Sequence, residues 1–151
     1  MRARIAIALT LLVGLLVGPA RAQQVTKETV PGITNFAHVE TTIACAGATT
    51  PAAMADVKRL GYRAVINLRQ ASEAGANIEE EGAAARAAGL VYIHLPFNTA
   101  SPDPAVVDDF LKAVTAPANQ PAFVHCASGN RVAALWMIKR MVADEIGRAH
   151  V

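Results

Sequence analysis

A three-layer α/β domain built around a mainly parallel sheet is the fold class predicted by this sequence, on three observations. Short apolar runs of strand length alternate with helix-favouring stretches. The helical stretches open on Thr-Pro or Asp-Pro and close on Gly. The spacings between successive strands suit crossovers rather than hairpins. A chain of 151 residues allows one ordinary domain, and any ligand is expected beyond the carboxyl ends of the strands.

The elements follow in order. Met1 to Ala22 places Arg2 and Arg4 before an apolar run from Ile5 to Val17, then Gly18, Pro19 and Ala20-Arg21-Ala22. That is the pattern of a secretory signal peptide cleaved before Gln23. The apolar run is shorter than the ~20 residues needed to span a bilayer, and no cysteine follows it to carry a lipid. An exported protein, periplasmic or secreted and off the membrane after cleavage, is the expectation. Val39 to Ala44 is read as the first strand. Thr50-Pro51 caps and opens a helix closed by Gly61. Ala64 to Leu68 is a short buried strand, Ile78 to Ala88 a helix ended by Gly89, and Val91 to Leu95 a strand stopped by Pro96. Asp103-Pro104 opens a helix through Val114, and Ala122 to His125 is the last strand before a glycine-containing turn and a final helix from Val132 to Met141. The remaining segment, Glu145 to Val151, continues no periodicity, and one codon choice for it plus a stop spells a common sequencing adapter. It is expected to be non-native, which leaves a domain over residues 23–144 truncated at its C-terminus.

Composition narrows the function. The chain is 53% hydrophobic and 17% charged with a formal charge of +2, so a repeat array, a collagen-like chain and a largely disordered one are excluded. Fourteen Lys and Arg against twelve Asp and Glu leave no excess for a phosphate backbone, so no nucleic-acid partner is expected. Signal cleavage removes Arg2, Arg4 and Arg21 and no acid, turning +2 into −1. The mean hydropathy of +0.31 owes part of its value to the same segment.

The chemistry lies where the last strand ends, at His125-Cys126-Ala127-Ser128-Gly129-Asn130-Arg131-Val132. A cysteine leaving a buried strand, a tight turn and an arginine opening a helix make an anion cradle of backbone N–H groups and a guanidinium. The same donors lower a thiol pKa from about 8.5 by several units, so Cys126 is expected to be a nucleophile, the alternative being an inert buried cysteine. Ala127, Ser128, Gly129, Asn130 and Arg131 are the expected oxyanion-binding residues.

The His-Cys pair, tight loop and Arg131 resemble the signature of cysteine-dependent protein tyrosine and dual-specificity phosphatases. Together with Ala46-Gly-Ala-Thr-Thr-Pro51, Val65-Ile-Asn-Leu-Arg69 and Tyr92-Ile-His-Leu-Pro96, they are similar to the bacterial phosphatase-like domain found fused to beta-lactamase-like hydrolases. The resemblance runs from Ile33 to Asp144. It implies a phosphatase-like fold, no cofactor, a phosphorylated substrate or other oxyanion as partner, and a two-step reaction. Cys126 attacks phosphorus, Arg131 and the loop amides hold the equatorial oxygens, and water hydrolyses the phosphocysteine. His125 would hydrogen-bond the loop, or else serve as a satisfied core histidine.

This chain departs from the phosphatase pattern in three places. Four residues rather than five separate Cys126 from Arg131, Val132 stands where a hydroxyl residue usually follows the arginine, and Thr99 lies about where an aspartate would act as general acid. Asp103 is the nearest carboxylate and reads as an N-cap. A Cys-x4-Arg turn also resembles the loop of rhodanese-type sulfurtransferases, so a Cys126 persulfide chemistry is the second reading and a non-catalytic oxyanion-binding module the third. Of the other polar residues, Arg69 either contacts substrate or pairs with Glu73, and Glu79-Glu80-Glu81 is read as a solvated helix start. His38, His94 and His150 show no metal-ligand spacing, so no metal is expected. Trp136, Met137 and Met141 are read as a packed helix face. In an oxidising compartment Cys45 could pair with Cys126, or stay a buried thiol.

Overall fold

The structure, a computed structural model, describes residues 25–144. The expected signal peptide over 1–22, the tail over 145–151 and His150 within it lie outside the described residues. Six strands, β1 (Thr26–Lys27), β2 (Ala37–Glu40), β3 (Ile43–Ala46), β4 (Ala64–Asn67), β5 (Val91–His94) and β6 (Ala122–His125), form one sheet in the order β1-β2-β3-β6-β4-β5. Four helices cover it: α1 (Met54–Arg59), α2 (Ile78–Ala87), α3 (Pro104–Thr115) and α4 (Asn130–Lys139), with a π-helical extension over Arg140–Asp144. The neighbours β3, β6, β4 and β5 run parallel, while β1 and β2 join antiparallel at one edge.

Strand alternation sorts the core into two layers. On one face Ala44, Ala46, Val65 and Phe123 pack with Met54 and Val57 of α1 and Ala85 of α2. On the other, Ile43, Ile66, Val124 and Cys126 pack with Phe110 and Val114 of α3 and Val132 and Leu135 of α4. Helices therefore lie on both faces of the sheet, as the three-layer reading expects.

Local chemistry accounts for the helix ends. Asp103 Oδ1 accepts from Ala105 N at 2.9 Å and Pro104 supplies the first helical residue of α3. The chain after α1 turns at Gly61 with φ +94 and after α2 at Gly89 with φ +76, a region that excludes most side chains. Thr50 makes no side-chain cap; Pro51 instead starts a 3-10 turn that runs into α1.

Three further expectations are corrected. The single strand expected over Val39 to Ala44 is the turn of a hairpin: the chain reverses at Thr41 and Thr42 between β2 and β3, with a register shift between His38 and Glu40. Glu81 is not solvated but fully buried beneath α2, whereas Glu79 and Glu80 are exposed. Met137 and Met141 are 64% and 61% exposed, so only Trp136 of that group packs on the core.

Candidate active site

The carboxyl end of β6 lies between β3 and β4, so the loop that follows is flanked by residues leaving both neighbours. Cys126 is fully buried, and its N–H donates to Ala46 O at 3.2 Å. Gly129, with φ +96, turns the chain so tightly that its own N–H comes back to Cys126 Sγ at 3.1 Å and then opens α4. Burial pushes the thiol pKa up, but the amides of Ser128, Gly129, Arg131 and Val132 outweigh it, and the net shift is downward.

Of the residues singled out in the sequence, Ser128, Gly129 and Arg131 thus present amides to the sulfur. Ala127 and Asn130 occupy the loop differently: Ala127 O accepts from Ala48 N at 2.9 Å, and Asn130 N donates to Ser128 Oγ at 3.4 Å. The Val132 amide joins the set without having been among the expected residues; the first turn of any helix leaves such amides free, which is the sequence signal for it.

Arg131 is held from a distance of 58 residues. Its Nη1 donates to Glu73 Oε1 at 2.6 Å, Leu68 O at 3.0 Å and Phe97 O at 3.3 Å, and its Nη2 donates to Glu73 Oε2 at 2.8 Å. This bidentate fork fixes the plane of the guanidinium. Glu73 is held down to about 2, first by Arg131, against burial, with the Gln70 N–H adding to the effect. Arg131 in turn is raised, by Glu73 first and with the Cys126 charge contributing. The Arg69 guanidinium donates to Gly75 O and Ala74 O, both at 2.7 Å, and to Glu73 at 3.4 Å, bracing the turn that carries Glu73.

His125 faces away from the loop. Its Nε2 meets Glu81 Oε1 at 2.8 Å, and the same oxygen accepts from Asn67 Nδ2, which also reaches Tyr92 OH. The β4–β6 register sets Asn67 opposite His125, so the pair shares one acid from α2. Glu81 Oε2 and His125 Nδ1 are buried without a partner among the described residues. The loop contact expected of His125 is therefore not made through its side chain.

Cys45 lies beside the turn, Sγ to Gly129 O at 3.6 Å, and both cysteines are free thiols. Burial first, then the neighbouring Cys126, push Cys45 up to about 11. Two cavities frame the question of access. One of about 250 Å³ is lined in part by Thr34, Thr49, Arg69 and Ala48, whose N–H bonds Ala127 O of the loop; one of about 400 Å³, lined in part by His38, Glu40, Leu60, Tyr62 and Pro121, opens where the parallel strands begin and is lined by none of these groups. Among the described residues no three His, Cys, Asp or Glu gather as a metal-holding group, and no helix is long and apolar enough to cross a membrane.

Comparison with known proteins gives a consistent picture. The family model of the phosphatase-like domain of beta-lactamase hydrolase-like proteins matches residues 35–143. A beta-lactamase hydrolase-like protein of Xylella fastidiosa (strain Temecula1 / ATCC 700964) is 36% identical over 104 residues, 61% of this chain and 23% of the relative. The chain thus spans about a quarter of the length of the curated relatives it matches. A crystallised candidate phosphatase of Shewanella putrefaciens CN-32 superposes with a TM-score of 0.68 at 23% identity, over 76% of this chain and 72% of its own. TpbA of P. aeruginosa, in a variant complexed with phosphotyrosine, superposes with a TM-score of 0.62 at 19% identity, over 83% and 72%. At these identities the two structures speak to the fold.

Proposed function

Because this chain belongs to the phosphatase-like domain family of beta-lactamase hydrolase-like proteins, we propose that it is a cysteine-dependent phosphatase acting on phosphate esters, with aryl phosphates its best class. One observation carries the reading: a buried thiol at the end of the central strand is pulled toward the thiolate by four amides, beside an arginine locked by Glu73.

The Cys126 thiolate attacks phosphorus in line with the ester oxygen, the P–O bond breaks, and the leaving oxygen takes a proton from solvent. The loop amides and Arg131 hold the three equatorial oxygens, whose charge they meet without reorganising. Water then attacks the phosphocysteine, the S–P bond breaks, and inorganic phosphate leaves with the thiolate restored. Asp103 is assigned no part in the reaction, its Oδ1 serving as the cap of α3. With no carboxylic acid assigned to protonate the leaving oxygen, phenols leave more readily than alcohols, and the phosphotyrosine bound by TpbA belongs to that class.

A second reading draws on the loop itself. Only Ala127, Ser128, Gly129 and Asn130 separate Cys126 from Arg131, and the compact ring also suits a sulfur carried on Cys126 as a persulfide. The basic, apolar and small-residue pattern of residues 1–22 supports export to the periplasm or beyond. Assays of p-nitrophenyl phosphate hydrolysis and of thiocyanate formation from thiosulfate and cyanide separate the two chemistries. Phosphate release that is lost in Cys126→Ser, with the fold retained, is the expected result; activity surviving that substitution refutes the assignment. A mature N-terminus at Gln23 in protein recovered from the exporting cell checks the localisation.

A further inference from the structure

From Ala127 to Gly129 the loop's hydrogen bonds to its surroundings are made by its carbonyls, and each carbonyl shares a rigid peptide plane with the N–H of the next residue. Ala127 O is taken by Ala48 N at 2.9 Å, and the N–H in that plane belongs to Ser128. Ser128 O is taken by Asn35 Nδ2 at 3.1 Å, and the N–H in that plane is the one on Gly129 that reaches Cys126 Sγ. Both amides lower the Cys126 pKa. Within a trans peptide C=O and N–H point in opposite directions, so an outward carbonyl and an inward amide are one constraint.

Asn35 is built for this reach. Its φ of 50 is left-handed, a conformation Asn accepts more readily than most residues, and it turns the side chain toward a loop 93 positions away. The preceding residue is clamped to the strand exit beside the loop, by Thr34 N to Ala48 O at 2.9 Å and Gly47 N to Thr34 O at 2.7 Å. The amide is therefore delivered by a fixed backbone rather than a wandering one, which limits how well water can replace it even though Asn35 is exposed.

We propose that Asn35 is a positioning residue for the Cys126 thiolate: by holding the Ser128 carbonyl outward, it keeps the Gly129 N–H aimed at the sulfur. The inference rests on Cys126 as the nucleophile but not on whether phosphorus or sulfur is transferred. Without the Asn35 amide the 128–129 peptide plane is free to rotate, and the thiolate loses one of its four donors for part of the time.

The test is the pH profile of iodoacetamide alkylation at Cys126, followed by mass spectrometry so that Cys45 is read apart. Asn35→Gly keeps the left-handed backbone and deletes only the side chain; Asn35→Asp keeps the size and replaces the donor with an acceptor. The expected result is a profile displaced to higher pH in both, with the rate at about pH 6 falling about threefold in Asn35→Gly and more in Asn35→Asp. Phosphatase kcat should fall in parallel, and thermal midpoints should change little. An unmoved profile in either folded variant overturns the proposal, as does a loss of stability without displacement, which marks a purely structural contact. A wild-type profile already at the ordinary thiol position instead sinks the nucleophile reading, so the two failures are distinguishable.

Discussion

Replacing Glu73 with Gln removes the charge that locks Arg131 while leaving a side chain of the same shape. In the folded protein the Glu73 carboxyl is held down to about 2 from an ordinary 4.5, with Arg131 the main cause. At face value that displacement corresponds to about 3 kcal/mol. Solvent reaches the carboxylate, whose side chain is 24% exposed, and screening brings the contribution down to about 1–2 kcal/mol. The sign follows from the direction. A depressed carboxyl stabilises the fold fully above its unfolded pKa, near 4.5, and that contribution is lost as pH falls toward about 2. Urea unfolding of wild type and Glu73→Gln should therefore differ by about 1–2 kcal/mol at neutral pH, hold that gap down to about pH 5, and close it progressively below. In the same variant KM for an aryl phosphate should rise, because a guanidinium without its fork loses its fixed plane. A stability gap of equal size at low and neutral pH would refute the account, since the lost interaction would then not depend on the charge of Glu73.

Glu81→Ala should destabilise by about 3 kcal/mol, because it strips the buried His125 and Asn67 of their shared acceptor; a thermal melt checks it, and a change under 1 kcal/mol on the same scale of about 1 kcal/mol per ordinary buried bond would show that the network carries little. Gly129→Ala should cost about 1–2 kcal/mol, from a φ of +96 that an L side chain resists; its Cβ would also meet Cys45 Sγ at 3.5 Å. Alkylation of Cys126 should slow in this variant, and a profile matching wild type would count against the tight turn as the source of thiolate stabilisation. Asp103→Ala should lose about 1 kcal/mol of stability as a helix cap is removed, with kcat for p-nitrophenyl phosphate unchanged; a fall of tenfold or more, about 1.4 kcal/mol in barrier, would return Asp103 to the reaction.

The parts of this fold that local chemistry dictates were legible in the sequence. Pro104 after Asp103, and Gly61 and Gly89 after helix-favouring stretches, mark ends that the backbone realises as expected. The β2–β3 hairpin is hard to read because its reversal at Thr41-Thr42 carries none of the Gly, Pro, Asn or Asp residues that mark a tight turn. Glu81 was hidden in a run of three acids, yet it stands one helical turn from Ala85 on the buried stripe of α2, a spacing that could have separated it from Glu79 and Glu80. The cysteine, the arginine and the turn between them are contiguous and stand out. What supports them is not contiguous: Glu73 lies 58 residues from Arg131 and Asn35 lies 93 from Ser128. No periodicity or spacing rule reaches across such separations, because the pairings exist only once β3, β4 and β6 have been laid side by side.

The place of β6 in the sheet also ties the site to the closing of the sheet. Of the described strands it comes last in the sequence, yet it fills the gap between β3 and β4, pairing with residues from Ile43 and Ala64 onward. Until it arrives, those two strands present open edges to one another and to any other chain, and closing the sheet requires contacts across long stretches of sequence. The nucleophile rides on this closing strand. Its supporting amides, its arginine clamp and the Asn35 contact all require β3, β4 and β6 to be joined, so a chain in which β6 is unpaired has no activated thiolate to offer.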